Sequence, residues 1–212
     1  MLVACQERGK MATGFFNDKM DVFKVSQSAE KAIMMEEYKQ KIANSIGCNW
    51  IVGHTRHATR GAPAENINNH PVFIVQSDKL LVHNGWIVSM NYDREPKLTD
   101  SRIPLHIIEN DDANGHEHML TALEKVHRNS TGDSVFVIGT PTTLGFFKTK
   151  NRPLEFHVSE DNLYFASTDE ILSVSGFQKN FTLGDYVIRS YEKGSLTPME
   201  RNLDTSNITE VT

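Results

Sequence analysis

Apolar residues recur along this chain in two rhythms, and the rhythm changes past its middle. Between Ser26 and Ile46, the residues Ala29, Ala32, Ile33, Met34, Tyr38, Ile42 and Ala43 return at three- and four-residue steps and stop at Gly47. That spacing predicts one helix. His116 to Arg128 repeats it, with Met119, Leu120, Leu123 and Val126 on one side, and Ser101 to Glu109 predicts a shorter helix with Pro104 near its first turn. Trp50 to Gly53 reads as a strand. Val72 to Val75 and Lys79 to His83 read as two more, joined at Gln76-Ser77-Asp78. Beyond Arg128 the segments become short and rich in β-branched and aromatic residues: Ser134 to Gly139, Leu144 to Thr149, Leu154 to Val158, Leu163 to Ala166 and Tyr186 to Ser190, with Asp169 to Val174 as a turn or short helix between them. Helices early, many strands and no steady strand-helix-strand alternation predict an α+β domain with largely antiparallel sheets, not a doubly wound fold. Two sheets packed face to face and covered by helices fit that order.

Composition narrows the class. The 212 residues suit one domain with a substantial core. Lys and Arg number 22 against 27 Asp and Glu, a net charge of −5, and so mildly acidic a chain points away from nucleic acid and from anionic membranes. No apolar run has the roughly 20 residues of a membrane span, and the start has no signal-peptide pattern. Two cysteines, Cys5 and Cys48, are too few for a disulfide framework. The expected compartment is the reducing cytoplasm.

Three stretches hold candidate chemistry. Gly53-His54-Thr55-Arg56-His57-Ala58-Thr59-Arg60-Gly61 follows an apolar strand. An arginine there can present a fork of donors to a carboxylate, or be one more solvated cation at a strand end. In Val82-His83-Asn84-Gly85-Trp86, an Asn-Gly pair after an apolar strand is usually a tight turn. It can also form an oxyanion hole from the Asn side-chain amide and the Gly N–H. In Thr99-Asp100-Ser101, either Thr99 or Asp100 can cap the helix that follows, and Asp100 can instead receive an ammonium group.

Taken together and in this order, these stretches resemble the class II, N-terminal-nucleophile glutamine amidotransferases. The likeness is nearest to the glutaminase domain of glucosamine-6-phosphate synthase, with the amidophosphoribosyltransferase of purine synthesis more distant. Asn69-His70-Pro71, Arg8-Gly9-Lys10-Met11-Ala12-Thr13-Gly14, Ala166-Ser167-Thr168-Asp169 and Leu183-Gly184-Asp185-Tyr186 extend it from about Arg8 to Ile188, with Met11 where the family usually has Asp. The compact layout resembles short stand-alone forms associated with phage genomes. The resemblance implies an αββα sandwich of two mainly antiparallel sheets over residues 1–202, followed by a mobile tail over 203–212. It implies that Arg56 holds the glutamine α-carboxylate and Asp100 its α-ammonium. Asn84 and Gly85 would form the oxyanion hole, with Gly85 also positioning substrate, and the backbone of His57, Ala58 and Thr59 would line the pocket. Glutamine would be substrate or ligand, without a cofactor. No acceptor domain fits in the remaining residues, so the ammonia acceptor would be a separate synthetase or transferase chain; a homo-oligomer stays open.

One part of the family pattern has no counterpart. The family's nucleophile is a cysteine that opens a short apolar strand at the mature N-terminus, with its own α-amino group as base. Here Leu2 follows Met1, and Arg8 arrives after only seven residues, so the first strand is lacking. Cys5 falls at the end of the helix before the Arg-Gly turn and Cys48 ahead of the strand leading to Arg56; both read as structural. Either the true start lies upstream and carries the cysteine, or the fold survives as an inactive binding or assembly module. Loss of a central strand should leave an open apolar seam in the sheet. His106, His116, His118 and His127 raise the question of a metal. However, positions 116 and 118 diverge by about 200° on a helix and do not match zinc-enzyme spacing, so no metal site is expected.

Overall fold

The computed structural model describes residues 1–74, 77–89 and 97–206. Its strands, β1 Ala12–Asn17, β2 Val22–Val25, β3 Ile51–Arg56, β4 Val72–Phe73, β5 Leu80–Val88, β6 Thr131–Gly139, β7 Thr143–Lys148, β8 Glu155–Val158, β9 Leu163–Ala166, β10 Phe181–Thr182, β11 Val187–Glu192 and β12 Met199–Asn202, pair only antiparallel among the described residues. The helices are α1 Leu2–Cys5, α2 Ala29–Ala32, α3 Glu36–Asn44, α4 Ile103–Ile107, α5 His116–Asn129 and α6 Asp169–Val174.

Strand alternation builds the layers. In β6, Phe136 and Ile138 point to one face of the six-stranded sheet β12-β11-β7-β6-β5-β4, where Met119, Leu120, Leu123 and Val126 of α5 meet them with Ile103 and Leu105 near α4. Val135 and Val137 point to the other face, onto Phe16, Val52, Leu154 and Phe156 of the smaller sheets. Because both faces are covered, nearly every apolar residue of β6 and β7 is buried. On the far side, Ala32 of α2 with Tyr38 and Ile42 of α3 packs on Phe15 and Phe23, while Ile171 and Leu172 of α6 pack beside Ala166. The order is helix, sheet, sheet, helix, as expected.

Two expectations are corrected. The segment from Ser26 to Ile46 is two helices, not one: Met35 is extended, with ψ of 139°. That break leaves Met34 exposed and lets Tyr38 stack edge-on against Phe15 and Phe23. The second layer is split as well. Strands β2-β1-β3 form one sheet and β10-β8-β9 another. Their facing edges, β3 and β9, flank a cavity of about 210 Å³ lined by Ile51, Gly53, Leu163, Tyr164 and Phe165 and by Met1, Leu2 and Cys5. The cavity is lined mainly by apolar side chains. The chain enters it as the four-residue helix α1, none of whose residues is buried.

The expected turn at Gln76-Ser77-Asp78 and the connection from Trp86 to Leu98 fall partly outside the described residues, as does the tail from residue 207. Leu203 is buried and donates its N–H to the Tyr186 carbonyl at 2.8 Å.

Candidate functional site

Arg56 ends β3 at a point fixed by backbone on both sides. β1 pairs along β3 through Ala12 opposite Arg56, and the Met11 N–H donates to the Arg56 carbonyl at 3.0 Å. Gly9 presses against the same peptide; a Cβ there would lie 2.1 Å from the His57 nitrogen. This explains the Arg8-Gly9 pair. Arg56 is 4% exposed. It donates to Asn69 Oδ1 at 3.0 Å, to the Gly61 carbonyl at 2.9 Å and to the Arg60 carbonyl. Three of its five N–H donors are therefore engaged, leaving two for a ligand among the described residues. Burial lowers its pKa and the nearby Asp100 carboxylate opposes that shift, so the two charges sense one another. His57 and Thr59 are exposed on the loop after β3, and the Ala58 N–H meets the Met11 sulfur at 3.4 Å.

The Asn84-Gly85 pair is not a turn. β5 runs on through Val88 and pairs with β6 along its whole length, Asn84 opposite Val135 and Gly85 opposite Ser134. Cross-strand pairing overrides the local turn preference. Gly85 has a φ of +133°, and a Cβ on it would lie 2.0 Å from the Asp133 carbonyl oxygen. Only glycine fits, and the distortion turns the local backbone away from regular ladder geometry. Both residues are half-buried.

Asp100 opens a 3-10 turn, Asp100–Arg102. The cap is Thr99, whose side chain accepts from the Ser101 N–H. Asp100 instead accepts the Ile87 N–H from β5 at 3.0 Å. The carboxylate is 6% exposed and anchored two residues beyond Gly85.

Sequence reasoning did not single out the residues joining these parts. His70 Nε2 lies 2.9 Å and His83 Nδ1 3.0 Å from Ser101 Oγ. His83 Nε2 lies 3.1 Å from Ser134 Oγ, and His54 Nε2 3.0 Å from the His83 carbonyl. The only sequence signal for them was their adjacency to the named motif residues. The other histidines considered as metal ligands go elsewhere: His116 to Ser190 Oγ at 2.8 Å and His118 to the Asn114 carbonyl at 3.0 Å.

Neither cysteine is prepared as a nucleophile. Burial raises the Cys5 thiol, and burial with a hydrogen bond to Asp18 raises that of Cys48. Both shifts disfavour the reactive thiolate.

Comparison with solved structures decides the fold. Over 95% of its length the chain matches the structure described as the allosteric regulatory enzyme of purine biosynthesis, with a TM-score of 0.72 at 19% identity, covering 44% of that chain. Over 94% it matches the glutamine phosphoribosylpyrophosphate amidotransferase of B. subtilis, with a TM-score of 0.66 at 18% identity, again covering 44% of that chain. The chain has the N-terminal-nucleophile hydrolase fold of the class II glutamine amidotransferases. A class II glutamine aminotransferase domain protein from Silicibacter pomeroyi also matches, at a TM-score of 0.52, over 91% of both chains. Curated proteins also align with this chain in sequence. Glutamine–fructose-6-phosphate aminotransferase of Streptococcus agalactiae is 29% identical over 121 residues, 53% of this chain and 20% of that protein. The enzyme of that name from Thermococcus kodakarensis is 27% identical over 166 residues, 68% of this chain and 27% of that protein. The chain thus spans about a quarter of the length of the curated relatives it matches. Models of known protein families give no match.

Proposed function

We propose that this class II amidotransferase fold holds a glutamine pocket. Arg56 takes the α-carboxylate and Asp100 the α-ammonium. Asn84 and Gly85 face the side-chain amide, where negative charge develops during hydrolysis. The backbone of His57, Ala58 and Thr59 lines the opening. The observation that carries this reading is the pairing of a buried guanidinium with a buried carboxylate that sense one another, the carboxylate bonded to the strand that presents Asn84 and Gly85. A buried cation and a buried anion close enough to influence one another suit the two ends of an amino acid.

Hydrolysis needs a nucleophile that residues 1–212 do not place, since both thiols are held in the protonated form. An active form would take its cysteine nucleophile from outside residues 1–212. It releases glutamate and ammonia in the cytoplasm, and the ammonia passes to a separate acceptor synthetase or transferase. A second reading is a binding or assembly module without turnover, and the split between β3 and β9 favours it.

Titration of the chain with glutamine and with glutamate tests the pocket. Saturable binding is expected, weakened roughly tenfold to a hundredfold by Asp100→Ala, the loss of one charge-assisted contact. No binding of either ligand would refute the pocket. Intact mass and glutaminase assay of the protein from its native host then separate the readings. Turnover with an N-terminal cysteine supports the enzyme, and a chain beginning at Met1 without turnover supports the module.

A further inference from the structure

Three histidines lie beside this pocket and take no part in the contacts proposed for glutamine. Their protons can be placed by counting donors. The Ser134 hydroxyl has one hydrogen and gives it to the Trp86 carbonyl at 2.8 Å. His83 Nε2, 3.1 Å from that hydroxyl, must therefore carry the hydrogen between them. A neutral His83 then has a bare Nδ1, so the Ser101 hydroxyl donates to it at 3.0 Å. With its own hydrogen spent, Ser101 Oγ can only accept from His70 Nε2 at 2.9 Å and from the Thr99 hydroxyl at 3.1 Å. His54 Nε2 faces a carbonyl and must donate too. The assignment leaves Nδ1 bare on His54 and His70, and these two buried atoms have no hydrogen-bond partner. All three imidazoles are neutral Nε2–H tautomers; two are joined in one direction from His70 through Ser101 and His83 to Ser134, and His54 donates to the His83 carbonyl.

Three members of the relay are chain neighbours of pocket groups. His70 follows Asn69, the partner of Arg56. Ser101 follows Asp100, and His83 precedes Asn84. We propose that Ser101 is a positioning residue of the pocket: its hydroxyl, held between His70 and His83, sets the spacing among the Arg56–Asn69 pair, the Asp100 carboxylate and the Asn84-Gly85 strand. The proposal rests on the glutamine reading for its purpose, but not for its geometry. Threonine at 101 keeps the hydroxyl, and alanine removes both the donor to His83 and the acceptor for His70.

The test compares the full chain with Ser101→Ala and Ser101→Thr. Long-range proton–nitrogen spectra of the imidazoles report the tautomers, the Ile87 amide resonance reports the bond to Asp100, and titration with L-glutamine and L-glutamate reports the pocket. The wild type is expected to show Nε2–H for all three histidines. Ser101→Ala should shift the His83 Nδ1 and Ile87 amide resonances and weaken ligand about tenfold at temperatures well below unfolding. Ser101→Thr should restore both. A part in packing alone would lower the melting temperature without moving the tautomer signals or the affinity. An Nδ1–H form of His70 or His83 in the wild type would overturn the proposal. So would an Ile87 amide unmoved by Ser101→Ala. Should the wild type bind neither ligand, the glutamine reading falls by itself, and the imidazole and Ile87 signals still decide whether Ser101 sets the geometry.

Discussion

At Gly85 a single hydrogen atom decides whether β5 can keep its path. A methyl group there would strike the Asp133 carbonyl oxygen at 2.0 Å, on a backbone with φ of +133°. Strained φ alone costs about 1–3 kcal/mol in a residue with a Cβ, and the clash adds to it. Gly85→Ala should lower the melting temperature by roughly 4–10 °C, at about 2–4 °C per kcal/mol for a chain of this size. Thermal unfolding followed by circular dichroism measures it; an unchanged midpoint would mean the strand bends without cost. Arg56 argues the other way, through its partners. Asn69 Oδ1 and the Gly61 carbonyl hold its plane. Arg56→Lys keeps the charge but loses the fork, so it should weaken glutamine binding by about tenfold and also lower the melting temperature, because buried acceptors at Asn69, Arg60 and Gly61 lose donors. Binding that survives in Arg56→Lys would assign the carboxylate to another group.

Among the elements, stability should divide along the seam. α1 has four residues, no buried side chain and no side-chain cap, and an isolated helix that short does not hold itself together. β5 and β6 pair over nine residues at the centre of the large sheet. Amide hydrogens of Leu2–Cys5 should thus exchange orders of magnitude faster than those of Val135–Ile138 under native conditions; equal protection would show that the seam is closed firmly by α1. The same contrast explains what the sequence disclosed. α5 and the strands from Ser134 onward were legible because they alternate or repeat against a core, and the periodicity records that contact. β1 and β2 were not legible. Ala12-Thr13-Gly14-Phe15-Phe16-Asn17 carries small and polar residues that are all buried between two layers, and such a strand has no alternation to read. The continuous helix from Ser26 was misread because local preference was followed where tertiary contacts to Phe15 and Phe23 prevail; at Asn84-Gly85, where local preference offered a turn as one alternative, pairing with β6 prevails in the same way. Arg56 and Asp100, the charged residues proposed for the pocket, were picked out through motif spacing. Ser101 and the histidines were passed over because their bonds join segments far apart in the chain, and spacing along a sequence does not record such bonds.

For the whole molecule, the buried histidines make folding depend on acid. Burial is the first cause in all three. It brings His54 down to about 3 and His83 to about 4, and it drives His70 well below its usual value, helped by the charges of His54, His83, Arg56 and Lys24. In the unfolded chain each titrates near 6.5. Between roughly pH 6.5 and 4 the unfolded state therefore binds protons that the folded state refuses, and stability rises with pH across that window. The neutral histidines' contribution is complete well above pH 6.5 and is lost as the pH falls toward 4. Each refused proton contributes a slope of at most about 1.4 kcal/mol per pH unit, so three give an upper limit near 4. Denaturant unfolding at pH 7.5, 6.5, 5.5 and 4.5 should show a small loss of about 1 kcal/mol between the first two and a steeper loss below. His83→Gln, which keeps a donor and an acceptor without titrating in this range, should flatten the slope by about one third, even though it lowers stability at pH 7.5. A profile as steep in His83→Gln as in the wild type would place the acid sensitivity outside this network. The imidazoles around Ser101 would then have to be accessible to protons in the folded protein, which the burial of His70 and of His83, packed beside Phe136 on the helix-covered face of the large sheet, argues against.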